Sequence, residues 1–209
     1  MKHTVLLAVA AASALSLAAC QKKAETPAAA PEAAAAPEAA APVTATAPEA
    51  APAAGPIDVT AAVTAPNSTE GLITGVTLTD MYQIQAGKIA ETKGQSQGVK
   101  DFGKSMVTDH TAMTNQMKHL FAATKLPIPT ELGPRGKGML DALNAASPAD
   151  FDKLYLDQQL AAQQAELALL KGYADAGEST DIKPAAAKAA SKTQAHLDKV
   201  HELQAAQTQ

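Results

Sequence analysis

In VKDFGKSMVTDHTAMTNQMKHL, residues 99–120, apolar side chains return at three- and four-residue steps: Val99, Phe102, Met106, Met113, Met117 and Leu120. That period describes one stripe of an amphipathic helix. His110 fills the slot between Met106 and Met113. A second stripe, Ile182, Ala186, Ala189, Thr193, Val200 and Leu203, has His196 in the corresponding gap. An imidazole facing a core must be hydrogen-bonded or bind a ligand, because burying it unpaired is costly.

The rest of the folded part extends this pattern. The spacing predicts a first helix over 79–93, with Thr79 or Asp80 as N-cap and Gly94 as stop, and a second over 96–125, ended by Pro127 and Pro129. A Gly/Pro-rich loop leads to a short helix over 139–145. Ser147-Pro148-Ala149-Asp150 then opens a third main helix, and a fourth begins near Asp181 with Pro184 in its first turn. The third is apolar on two sides, with Gln163 between Leu160 and Leu167. His110, Gln163 and His196 lie 14 or 15 residues from the expected starts of their helices, so the three should share one level. No segment alternates like a strand. The expected fold is all-α: an antiparallel four-helix bundle with a crossover loop and a short extra helix.

Residues 1–19 have the form of a lipoprotein signal peptide: Lys2, an apolar run from Val5 to Leu17, then Leu17-Ala18-Ala19-Cys20. This resembles a bacterial lipobox, which implies lipidation at Cys20 and a periplasm-facing outer-membrane lipoprotein of a Gram-negative envelope. Residues 20–69 comprise the lipidated cysteine and an Ala/Pro linker with repeated Pro-Glu-Ala-Ala units, where recurrent proline prevents a continuous helix and disorder is expected. Residues 70–205 form the bundle domain.

Cys20 is the only cysteine, so the folded part is left without disulfide, thiolate or iron–sulfur chemistry. A net charge of −4, 3% aromatic content and no Trp supply neither a basic patch nor stacking platforms, which excludes nucleic acid as a partner. Glu-x-x-His, the di-metal element of carboxylate bundles, is missing: Val107 and Thr193 stand three residues before the two histidines. Hydrolase and nucleotide-binding motifs are missing as well, which disfavours an enzyme. Two readings remain open for the histidine layer. In one it is a hydrogen-bonded polar core in a non-enzymatic protein that binds an envelope protein or small ligand. In the other, His110 and His196 with Met106 and Met113 bind copper or zinc, thioethers favouring Cu(I).

The runs Asp80–Ala90 and Val99–His110, the element Phe151-Asp152-x-x-Tyr155 and the late Ala195-His196-Leu197 resemble the exported, ferritin-like bacterial family grouped as domain of unknown function 4142. The resemblance covers residues 70–203. It implies a ferritin-like bundle without an established activity, in which Asp109, His110, Asp152, Tyr155 and His196 match the family pattern. Gln83 and Gln163 depart from it, standing where the family commonly has glutamate and histidine.

Overall fold

The structure, a computed structural model, describes residues 67–208, and among these it contains five α-helices and no strand. They are α1 (Thr69–Lys93), α2 (Gln97–Thr124), α3 (Pro134–Ala145), α4 (Pro148–Ala176) and α5 (Lys183–Gln207). The expected signal peptide, Cys20 and linker up to residue 66 lie outside the described residues. No described helix is long and apolar enough to cross a membrane.

Helix ends follow local chemistry. The hydroxyls of Ser68, Ser96 and Ser147 accept from the backbone N–H of Gly71, Val99 and Asp150, satisfying donors that a helix start leaves open. Lys125 closes α2 in the left-handed region at φ 59°, and Pro127 prevents its continuation.

Two expected boundaries move. The first helix begins at Thr69 rather than near 79, because Leu72, Ile73 and Val76 form a fully buried face that outweighs the low helix propensity of Gly71, Gly75 and the threonines. Asp80 is therefore a mid-helix residue, not a cap. The short helix begins at Pro134, whose missing N–H suits a first turn, rather than at Met139.

Side-chain contacts fix the directions of the chain. Thr69 Oγ1 meets Tyr173 Oη at 2.7 Å at one end, while at the other Asp152 accepts from the N–H groups of Gln95 and Ser96 at 2.8 Å each. Hence α1 and α4 are antiparallel, and α4 runs the same way as α2. Gln204 donates to Asp157 at 3.1 Å, so α5 returns antiparallel to α4. The segment between α2 and α4 must then travel the length of the bundle instead of crossing over one end, and α3 lies along it. Lys93 secures this return by donating to three carbonyls at the close of α3: Leu143, Asn144 and Ala146.

The core is divided. One apolar cluster, toward Gly94, contains Tyr82, Phe102, Met106, Phe151, Tyr155 and Val200. The other, toward Ser68, contains Ile73, Val76, Met113, Met117, Leu170 and Tyr173. Each long helix carries a buried polar side chain near its passage from one cluster to the other: Asp80, His110, Glu166, or the pair Thr193 and His196, followed on α5 by Leu197 and then Val200.

Candidate functional site

The polar layer is assembled by a close helix approach. A Cβ on Gly87 would lie 2.7 Å from the Gly103 carbonyl oxygen, and a Cβ on Gly103 equally close to that of Gly87, so only glycine permits this spacing of α1 and α2. Asp80 lies seven residues before Gly87 and His110 seven after Gly103. Two helical turns along matching faces thus bring the carboxylate to the imidazole.

His110 Nδ1 donates to Asp80 Oδ1 at 2.7 Å, and Thr114 Oγ1 donates to Asp80 Oδ2 at 2.8 Å. Both carboxylate oxygens are engaged. His110 Nε2 has no protein partner, and the carboxylate of Glu166, buried on α4, has only the hydroxyl of Thr193 acting on it as a neighbouring donor. Ligand atoms of Asp80, His110 and Glu166 all lie within 4.8 Å of one another. Burial, with the charge of Asp80 adding to it, pushes Glu166 up to about 7 against the pull of His110 and the hydrogen bond of Thr193. Burial also opposes charge on His110, but the facing carboxylates of Glu166, Asp80 and Asp109 overcome it and raise its pKa.

His196 lies beside His110, their ring centroids 5.4 Å apart. Its Nε2 donates to Asp109 Oδ2 at 2.8 Å, and Lys192 pairs with the other oxygen of Asp109 at 3.1 Å. Burial is the largest cause that lowers His196 to about 4, with His110 and Lys192 adding to it against the bond to Asp109. Asp109 is depressed: burial opposes the shift, but hydrogen bonds and charge from His196 and Lys192 prevail.

The remaining expected residues take various places. Gln163 joins the edge of the layer, where its Nε2 reaches Met106 Sδ at 3.9 Å and its Oε1 is unpartnered. Tyr155 is buried one step further, against Phe102 and Phe151. Asp152 caps the start of α2, at the far end of the bundle. Met106 belongs to one apolar cluster and Met113 to the other. His196 is outside the three-residue group that Asp80, His110 and Glu166 form.

Sequence reasoning missed Asp80 as a site residue because it was assigned to a cap. It missed Glu166 although the same signal was available: Gln159, Gln163, Glu166 and Leu170 follow a helical step on the buried side of α4.

Two surface cavities flank the layer. One, of about 340 Å³ between α1, α2 and the segment around Ile128 and Pro129, reaches Asp80 and Thr114. The other, of about 500 Å³ between α2 and α5, reaches Asp109 and Lys192.

No curated protein and no solved structure matches this chain. A family does, over residues 54–203, well beyond half of the sequence. The chain belongs to the family described as domain of unknown function, DUF4142.

Proposed function

We propose that this protein is a lipid-anchored, periplasm-facing lipoprotein of the outer membrane. Its ferritin-like bundle binds one divalent transition-metal cation on Asp80, His110 and Glu166, in a non-enzymatic role. One observation carries the metal reading: a fully buried glutamate places a ligand atom within 4.8 Å of one from the His110 imidazole and one from a second carboxylate. A buried carboxylate needs pairing or a cation. The cavity at Asp80 and Thr114 supplies a way in.

The donor set favours zinc over copper. Two carboxylates and an imidazole suit Zn(II) or Fe(II), whereas Cu(I) calls for thioethers. The up-down-down-up course with one long crossover supports the ferritin-like assignment.

Loading the purified bundle with Zn(II) and with Cu(I) tests the site. One equivalent of Zn(II) is expected, and Glu166→Gln should weaken it at least tenfold. Unchanged binding in that variant, or Cu(I) binding that disappears with Met106→Leu/Met113→Leu, overturns the assignment. The anchor is tested separately: Cys20→Ala should move the protein from the membrane fraction to the soluble one, and retention on membranes refutes lipid attachment.

A further inference from the structure

A second group of buried polar atoms lies beside the proposed ligands, and it is made of neutral side chains. Gln83 and Gln159 are fully buried, and both amide atoms of each lack a protein partner. Gln163 Oε1 and Tyr155 Oη are likewise buried and unpartnered. The contacts of Tyr82 with Gln158 and of Thr69 with Tyr173 set the antiparallel register of α1 on α4. That register puts Gln83 opposite Gln159, and Tyr155, Gln159, Gln163 and Glu166 follow one another along α4 at helical spacing. Six buried hydrogen-bonding atoms thus line one column that begins at Glu166 and runs toward the Gly94 end.

Apolar side chains flank this column: Met106, Phe102, Ala162 and Val200 belong to the cluster on that side. Leaving a buried amide unpaired costs more than an ordinary hydrogen bond contributes, and six such atoms together would rival the stability of a domain. Each glutamine carries both donor and acceptor capacity, and the tyrosine adds a hydroxyl that can do either. Water meets mixed donors and acceptors of this kind.

We propose that Gln83, Gln159, Gln163 and Tyr155 form an internal water-binding site, holding about two or three ordered waters at roughly three hydrogen bonds each. The site adjoins Glu166 and belongs to the apo protein, so it stands whether or not a cation binds.

Long-lived internal water is detected directly in the metal-free protein by water-to-amide nuclear Overhauser spectra of the glutamine side chains and by magnetic relaxation dispersion of labelled water. The Gln83 and Gln159 NH₂ groups should show cross-peaks to water with residence beyond nanoseconds, and the count of such waters should fall by about two or three in Gln83→Leu/Gln159→Leu. Wild-type NH₂ groups that contact each other and show no water cross-peak overturn the proposal, and so does an unchanged count in a folded variant. The wild-type spectra suffice if the variant does not fold. Failure here leaves zinc stoichiometry untouched, and failure of zinc binding leaves these cross-peaks untouched.

Discussion

The bundle contains the same chemical pair twice, an aspartate holding a histidine, in two different settings. Asp80 and His110 are sealed, with side chains 3% and 0% exposed, and a third acid faces them. Asp109 and His196 sit nearer the surface, at 25% and 6%, and their neighbour is a lysine. The first histidine is pushed toward its charged form and the second away from it. A hydrogen bond to carboxylate and an opposing burial are common to both, so it is the further carboxylate, Glu166, that lifts His110, while for His196 burial prevails and Lys192 adds only the smallest push.

The largest expected consequence concerns removal of each ring. His110→Ala strands the Asp80 carboxylate in the core and should cost about 3–5 kcal/mol in metal-free protein. His196→Ala leaves Asp109 with Lys192 and partial solvation, and should cost about 1–2 kcal/mol. Urea denaturation of both variants measures the gap, and equal losses would show that the settings do not differ energetically.

The pH dependence should be next in size. Folding raises Glu166 from 4.5 to about 7, so its contribution is complete below pH 4.5 and is lost as pH rises through about 7. Folding lowers His196 from 6.5 to about 4, so its contribution is complete above pH 6.5 and is lost as pH falls toward 4. Between these limits the two trends oppose each other, at about 1.4 kcal/mol per pH unit each. Wild-type stability should therefore be nearly flat from pH 4.5 to 6.5. Glu166→Gln should unmask a decline on acidification, and His196→Gln a decline on alkalinisation. Variants as flat as the wild type would show that neither group is shifted.

Lys192→Met should have the smallest effect, below about 1 kcal/mol, because the lysine is half exposed and screened. It should still raise the Asp109 pKa, which a carboxyl titration followed by NMR reads. An unmoved Asp109 would remove Lys192 as a cause of its depression.

The stripes of α2 and α5 were legible because one histidine interrupts each otherwise apolar series, and both rings point inward. The cap at Ser147 was legible to the residue, since serine, proline and aspartate act locally. The origin of α1 was not. Its first turns are rich in glycine and threonine, and only tertiary burial of Leu72, Ile73 and Val76 holds them helical. Misplacing that start concealed Asp80. Glu166 was overlooked because a charged residue on a long helix is ordinarily solvated, and its burial follows from which neighbours α4 acquires.

The Gly87–Gly103 contact carries a mechanical implication. It fastens α1 to α2 backbone against backbone, and α4 joins α5 by a short connection, so the molecule divides into two stiff hairpins. Asp80 and His110 ride on one hairpin and Glu166 on the other. A cation held by all three would act as a rivet across the seam, and its loss would be felt first as a loosening between the halves, while each hairpin kept its own shape.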